Sequence, residues 1–359
     1  MEQTLTIKLK LHEPTQAKRK MYQTMADRTT GFANRYLSLD KKERPKTSKG
    51  AAKISEKLPS CVLCHAIRDL KAKKKAKRFK HLWPNFSYQN FRVEKELSKD
   101  GGAVWKASFP TPEKRVGVPI VVQPYQEKYL EMLFSGQAKQ GSAKLVKSGR
   151  DWYIHLSLTV SVEEKQGEKI MGVDLGLVDL LVASVSGQTL FFSGKELTYT
   201  RRRYADLRHR LQKAGAFRAL VRLGDKEHCW VTDTNHKISR AIIDFAIAHG
   251  VTKIRLEDLT GARWTKQQRK EQRKDHGRSL HCWPYYQLRK FIAYKAALVG
   301  IQVELVNPEL TTLTCSRCGE VIKNRPKSRW FRCPRCRKIK HIDVNAADNI
   351  AQAISGLAA

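Results

Sequence analysis

Four cysteines near the C-terminus carry the clearest chemistry in the chain. Cys315-x-x-Cys318 and Cys333-x-x-Cys336 are two knuckles separated by a 14-residue, hairpin-sized spacer. Such a pair of knuckles places four thiolates at the corners of a tetrahedron, the geometry that Zn²⁺ prefers. Gly319 after the first pair and Pro334 inside the second suit tight knuckle turns. A closed set of four sulfurs leaves no open position for a substrate, so the expectation is a zinc ribbon holding one structural Zn²⁺. The competing reading is four buried free thiols. Cys61-x-x-Cys64-His65 has no second pair nearby and lies in a helical pattern, so these cysteines are read as core thiols on a helix. Cys229 and Cys282 are read the same way.

Three acids form the second constellation. Asp174 lies in GVDLG at the end of an apolar strand pattern, Glu257 closes the strand pattern IRLEDL, and Asp343 opens the last helix in HIDVNAADNIA. Singly, each has a structural reading: a turn residue, an exposed strand end, a helix N-cap. Together, at the ends of elements in one strand-rich region, three converging carboxylates can hold two Mg²⁺ ions about 3.5–4 Å apart for phosphodiester hydrolysis. Gly172 and Gly176 flank Asp174 without bulk and are expected to leave room for a substrate backbone. Asp179, Asp258 and Asp348 stand beside the three acids and are read as structural, Asp258 being the first candidate for more.

Basic and aromatic residues supply a third group. In KAKKKAKRFK (71–80) seven of ten residues are basic. Placed at the end of a helix, Lys73, Lys74, Lys75, Lys77 and Arg78 are expected to meet a phosphate backbone; the alternative is a merely solvated face. Of the aromatics that follow, Tyr88 is the candidate for stacking on a base, while Trp83 and Phe86 could stack or pack.

The elements that must position these residues can be read from periodicity. TLTIKLKL (4–11) reads as a strand and 14–39 as a helix. The loop DKKERPKTSKG follows, and a second helix begins near Pro59 and finishes in 71–80. From about 86 to 162 the pattern is β-rich, with SYQNFRV, AVWKASF, VGVPIVV and DWYIHLSLTV separated by turn formers. SVEEKQGEK (161–169) is a candidate linker. From Ile170 two or three adjacent strands precede a long helical region (196–248). Then come the strand TKIRLEDL, a basic polar loop, a helix at about 284–299 and the strand IQVELV. Strands first and then strands alternating with helices indicate an α/β domain with a mixed sheet.

Composition bounds the partners. The chain has 359 residues, 69 Lys plus Arg against 34 Asp plus Glu, and a net charge of +35. Residues 1–168 carry +17 and residues 169–359 carry +18, so the excess is no basic tail on a neutral body. A charge of this size repels itself unless a polyanion neutralises it. A long nucleic acid contacted by both halves is the expected partner. No stretch approaches the ~20 apolar residues of a membrane span, and no leader is evident, so a cytoplasmic protein is expected, with no membrane and no small-molecule substrate.

The order of motifs resembles a known family. A D-x-G strand, an E-D-L strand, a W-P-x-Y-Q helix, the C-x-x-C…C-x-x-C ribbon and a D-x-N-A-A-x-N-I helix together resemble the transposon-encoded TnpB (OrfB) family, from which the type V CRISPR effectors descend. Asp233, Asn235 and His236 in TDTNHKISRAI, and Tyr294-Lys295-Ala296, accompany them. NPELTTLTC departs from the family pattern around Leu310, Thr311 and Thr312. The resemblance covers about residues 170–359, and the N-terminal half agrees in layout alone. It implies an RNase H-like, RuvC-type nuclease domain (169–313 and 340–359) whose metal ligands are Asp174, Glu257 and Asp343. A zinc ribbon (314–339) would be inserted before the last acid and help load the DNA strand. It further implies a wedge-like β-barrel (1–11 and 83–165) interrupted by a helical recognition lobe (12–82), with the loop 263–278 over the active site. The implied activity is RNA-guided, Mg²⁺-dependent cleavage of double-stranded target DNA next to a short flanking motif. A guide RNA is the implied second partner, the protein is expected to act as a monomer, and its place in the cell is the cytoplasm and the nucleoid. Two alternatives share the motifs: a compact type V CRISPR effector, and an RNA-guided repressor whose nuclease has decayed.

Overall fold

Alternation of buried and exposed residues in Glu2–Leu11 (β1) places Ile7, Leu9 and Leu11 on one face, as a half-buried strand requires. In the computed structural model, which describes all residues except 74, 98–102, 177, 259–283, 308–309, 325, 327 and 354–359, that strand lies inside an antiparallel sheet. The chain divides into two units, Glu2–Ser161 and Val162 onward, the latter including Met1.

In the first unit, helices α1 (Gln16–Ser38), α2 (Ser48–Ala52) and α3 (Ser60–Ala72) follow β1. Thr15 caps α1, its hydroxyl accepting from Lys18 N at 3.4 Å. Tyr22, Met25, Ala26, Thr29, Phe32, Ala33 and Tyr36 recur at helical spacing and form its buried face. Strands β2 (Asn85–Phe86), β3 (Arg92–Leu97), β4 (Ala103–Pro110), β5 (Arg115–Val121), β6 (Ala138–Ser148) and β7 (Asp151–Ser161) complete a seven-stranded sheet of order β2-β6-β7-β1-β5-β4-β3. Its core is aromatic: Tyr22 meets Trp152 edge-on at 5.6 Å, and Phe86 lies 5.3 Å from Phe109. Among the described residues, β2 and β3 are the sheet's two edges.

Two sequence expectations are corrected in this unit. SYQNFRV is not one strand, because residues 87–91 form the turn between β2 and β3. Helix α4 (Pro124–Phe134) interrupts the β-rich region; Pro124 opens it, and Gln123 and Gln126 close a capping box. Only Gln126 and Leu130 of that helix are buried, so its apolar stripe is too narrow to announce a helix by periodicity. Helix α3 ends at Ala72, inside the 71–80 run as expected, and the described residues of the run beyond it lie in turns and bends. Like charges one turn apart oppose further helix.

The second unit is built on a five-stranded mixed sheet of order β10-β9-β8-β11-β12. Strands β8 (Ile170–Leu175), β11 (Lys253–Glu257) and β12 (Gln302–Val306) run parallel, and β9 (Asp179–Val185) and β10 (Gln188–Ser193) add antiparallel. Helices α5 (Lys195–Lys213), α6 (Phe217–Leu223), α7 (Lys226–Ala248), α8 (Tyr285–Ala297) and α9 (Ile342–Gln352) supply the cover. Met171, Val173, Ile254 and Leu256 share a core with Ile238 and Ile242 of α7 and Leu288 and Ile292 of α8. The alternate residues on β8 and β11 therefore face the other way, toward α9. There Arg255 donates to Ala351 O at 2.8 Å, and Gly172 meets the helix backbone.

Gly172 corrects a sequence expectation. A Cβ at this position would lie 1.9 Å from Ala347 O, so the missing side chain admits α9 and leaves no space for substrate. The motif companions also have structural work. Asn235 donates to Gln287 at 2.8 Å, and Lys295 donates to His236 O at 2.7 Å and to Ser239 Oγ at 2.8 Å, all joining α7 to α8. Burial holds the Lys295 ammonium down to about 8.

Candidate functional site

Strand register brings the first two acids together. Val173 pairs with Leu256 across β8 and β11, and the next residue on each strand is Asp174 and Glu257. Period-2 alternation turns both side chains to the α9 face. Asp343 sits in the first turn of α9, where the positive end of the helix dipole favours a carboxylate. The three are 6%, 6% and 5% exposed, a depth at which carboxylates are rarely found unless paired. Burial, and then the charge of Asp343, push the Glu257 carboxyl up to about 7, against the lowering effect of the hydrogen bond it accepts from Thr311 Oγ1 at 3.0 Å. Tyr285 of α8 is raised by burial and by the charge of Asp174, and its hydroxyl donates to Gly176 O. This donor set of buried carboxylates suits hard divalent cations such as Mg²⁺.

Asp343 has a second set of neighbours. Arg329 donates to its Oδ2 at 2.7 Å and pairs with Asp179 as well. Ligand atoms of Asp179, His341 and Asp343 all lie within 4.8 Å of one another. Asp179 reaches this face because the register of β9 against β10 shifts near Phe192 and Ser193, and both Leu180 and Leu181 enter the core. A bulge of this kind re-aims the residues beyond it.

The four cysteines also converge. Cys315 and Cys336 Sγ lie 3.6 Å apart, and Cys318 and Cys333 Sγ 3.5 Å apart. Tetrahedral Zn²⁺ with Zn–S near about 2.3 Å requires edges of about 3.8 Å, so the set fits that ion. Each knuckle ends in a left-handed residue, Gly319 (φ +74°) and Arg337 (φ +57°), where glycine is the less strained choice. Strands β13 (Trp330–Arg332) and β14 (Ile339–His341) form the hairpin, and Phe331 packs on the cysteines.

The D-x-N-A-A-x-N-I helix keys this module to the sheet. Asn345 donates to Thr314 O at 2.7 Å and accepts from Ser316 N at 2.9 Å. Asn349 donates to Thr311 O at 2.7 Å and to Thr314 O at 2.6 Å. Asp348 accepts from Ser184 Oγ at 2.6 Å and pairs with Lys340, and Asp258 pairs with Arg289 at 3.0 Å.

Of the basic group, Lys73, Lys75, Lys77 and Arg78 are exposed, and Lys74 lies outside the described residues. Tyr88 is 60% exposed beside an open groove of about 530 Å³ lined also by Phe91, Arg92, Leu133, Phe134 and Gln140. Phe86 is buried, and Trp83 packs edge-on against Trp152, so neither is free to stack. Cys64 and Cys229 are exposed rather than core thiols; Cys282, Trp283 and the loop 263–278 lie outside the described residues. Sequence reasoning missed Thr311, Tyr285, Arg329 and His341, and assigned Asp179 no part. For His341, two residues before Asp343, proximity was an available signal.

Comparison with known proteins agrees with this layout. Residues 153–263 match the family profile described as "Probable transposase" (OrfB_IS605), and residues 285–350 match the Cas12f1-like TNB domain. A TnpB-like protein of Methanocaldococcus jannaschii is 28% identical over 67% of this chain and 87% of its own length. Over these regions the chain is similar to the TnpB family. Another similar protein, the CRISPR-associated endodeoxyribonuclease Cas12f1 of Sulfoacidibacillus thermotolerans, is 28% identical over 67% of this chain. The matched region spans 59% of that protein's length. Among solved structures, a Cas12f1–sgRNA–target DNA complex gives a TM-score of 0.70 at 16% identity, covering 94% of this chain and 83% of that one. The shared fold is the RuvC-containing TnpB/Cas12 fold. Among the described residues no helix is long and apolar enough to cross a membrane.

Proposed function

We propose that this protein is the RNA-guided DNA endonuclease of a transposable element. The observation that carries the reading is that Asp174 and Glu257 end adjacent strands of the RuvC-like sheet, buried as Asp343 is at the start of α9, in a chain of charge +35. Relatives named TnpB-like and endodeoxyribonuclease support it. A guide RNA and double-stranded target DNA are the partners, and their phosphates neutralise the excess charge of both halves. Lys73, Lys74, Lys75, Lys77 and Arg78 contact phosphates, and Tyr88 stacks on a base. The seven-stranded sheet takes the wedge role, the helices of 12–82 the recognition role, and the ribbon of 314–339 the loading of DNA.

Asp174, Glu257 and Asp343 would hold Mg²⁺, and the cysteines Zn²⁺. When bound, the catalytic cations activate a water and stabilise the leaving oxygen of the phosphodiester. The chain's own part is to fix the ligands. Adjacent strands set Asp174 beside Glu257, Thr311 orients the Glu257 carboxylate, and α9 delivers Asp343 through the close approach that Gly172 permits. Tyr285, held on Gly176 O, packs against the Asp174 side of the site and helps exclude bulk water.

The test begins with purification from the host and sequencing of bound RNA. The complex is then incubated with Mg²⁺ and a plasmid library of randomised flanks. Cleavage beside an enriched flank, absent in Asp174→Ala, is expected; absence of co-purifying RNA overturns the reading. A compact CRISPR effector shares the chemistry and is named among the relatives. A bound RNA derived from a repeat array, rather than a transposon end, would select it.

A further inference from the structure

We propose that Asp179, His341 and Asp343 form a second cation site, selective for first-row transition ions such as Mn²⁺, that is held closed by Arg329 until the metal displaces it. The site shares Asp343 with the three-acid constellation but uses two residues outside it.

Three observations carry the proposal. The first is convergence: one ligand atom from each residue lies within 4.8 Å of the other two. The bulge in β9 produces that convergence, since without it Asp179 would point with Leu181 into the core. The second is the state of the imidazole. His341 Nε2 is 3.9 Å from Asp179 Oδ2, beyond hydrogen-bond range, and Nδ1 is buried without a partner among the described residues. The ring is held instead by edge-to-face packing on Phe191 at 5.3 Å and Trp330 at 6.0 Å. An arginine between two aspartates needs no imidazole beside it. An imidazole held by packing near two carboxylates, with no hydrogen bond to either nitrogen among the described residues, has the form of a metal ligand awaiting its ion.

The third is the guanidinium itself. Arg329 bridges Asp179 and Asp343 and so supplies the positive charge their proximity demands. It is attached just before β13, and its backbone carbonyl accepts from Ile342 N at 2.9 Å, so the main chain stays in place while the side chain swings. With its side chain 39% exposed, Arg329 has a path to solvent. Exchange of one guanidinium for one divalent ion turns a net charge of −1 into zero, so both states are tolerable at a half-buried site. Imidazole suits Fe²⁺ and Zn²⁺, and carboxylates suit Mn²⁺, so a mixed set admits these ions, whereas Mg²⁺ prefers oxygen ligands alone.

The test measures metal, not cleavage, so its outcome is separate from that of the nuclease reading. Full-length, zinc-loaded protein carrying Asp174→Asn and Glu257→Gln is titrated with Mn²⁺ by calorimetry and electron paramagnetic resonance. One Mn²⁺ is expected to bind. Adding His341→Ala or Asp179→Asn should weaken that binding by about tenfold or more, and adding Arg329→Gln should tighten it by a similar factor. Mg²⁺ should compete poorly. An anomalous Mn²⁺ peak between Asp179 and His341 in crystals places the ion. Failure of the doubly substituted protein to bind Mn²⁺ overturns the site, as does unchanged affinity in His341→Ala. Arg329→Gln, at a partly exposed position, keeps the test open even if an aspartate variant misfolds: affinity unchanged by Arg329→Gln overturns the gating role.

Discussion

The cysteine cluster and the carboxylate cluster are assembled by different means. All four cysteines lie between residues 315 and 336, and short backbone turns within that stretch orient every sulfur. The acids come from β8, β11 and α9, elements far apart in the chain, and each is oriented by something it does not neighbour in sequence. For Asp174 and Glu257 it is strand register; for Asp343 it is the seating of α9 over Gly172. A local module of this kind depends on its metal and its turns, while a distributed one depends on the packing of a whole unit. The carboxylate site should therefore be sensitive to distant substitutions that the ribbon ignores.

The largest effect tests the chemistry of the distributed site with its packing intact. Asp174→Asn or Asp343→Asn should lower plasmid cleavage on the order of 10³-fold or more. Zinc content should not fall in either variant, and thermal stability should not fall in Asp174→Asn, where removing one of two adjacent buried like charges relieves repulsion; Asp343→Asn also loses its pair with Arg329. Undiminished cleavage in either variant would remove that residue from the site.

Next in size is the dependence of the ribbon on its ion. Structural Zn²⁺ in small modules contributes about 10–16 kcal/mol at neutral pH, so residues 314–339 should not hold their fold once it is removed. A strong chelator, or Cys318→Ser, should expose the amides of 314–339 to hydrogen exchange while those of β8 and β11 stay protected. Cleavage should also fall, since Asn345 and Asn349 tie the ribbon's entry to Thr311, and Thr311 holds Glu257. Loss of protection across the whole five-stranded sheet would contradict the locality of the module.

A pair of glycines separates the two designs more finely. Gly172→Ala forces α9 away from β8 and should cost about 2–3 kcal/mol or more, with cleavage lost and zinc retained. Gly319→Ala places a side chain in a left-handed turn with open space around it, costing about 1–2 kcal/mol, confined to the ribbon. Thermal unfolding, zinc content and cleavage measured on both variants give the comparison, and equal losses of cleavage would erase it.

The same contrast explains what could be read from sequence. Cys315, Cys318, Cys333 and Cys336 announce themselves by spacing, because the geometry they need is made by the residues between them. Asp174, Glu257 and Asp343 could be picked out as ends of apolar strands and the start of a helix, but their convergence came from resemblance to a family. Asp179 was invisible: strict alternation sends it to the wrong face, and a bulge that reverses alternation leaves no mark on composition. Gly172 was misassigned because a missing side chain reads alike whether it admits a substrate or a helix. Arg329 was lost among 69 basic residues, since nothing local distinguishes the one that turns inward. Helix α4 was hidden by its narrow buried stripe, Gln126 and Leu130 alone.

The smallest effect is a pH dependence in which the two centres oppose one another. Without divalent cations, Glu257 titrates near about 7 in the folded chain, against 4.5 for the ordinary carboxyl. Between those values the folded state binds more protons than the unfolded one, so stability is greatest at or below pH 4.5 and declines as pH rises toward 7. The slope from one proton cannot exceed about 1.4 kcal/mol per pH unit, and it vanishes above the folded value. Glu257→Gln should flatten the curve over that window. The ribbon runs the other way, because its thiolates bind zinc only when deprotonated, so acid weakens it. Chemical denaturation at pH 5, 6 and 7 in zinc-saturated, Mg²⁺-free buffer, read from probes in each module, should show the sheet strengthening and the ribbon weakening as pH falls. Saturating Mg²⁺ should then reverse the trend of the sheet alone, since the cation binds the ionised carboxylates that the protons would otherwise occupy. A sheet whose stability rises with pH in the absence of Mg²⁺ would mean that Glu257 is already paired with a cation of the chain's own.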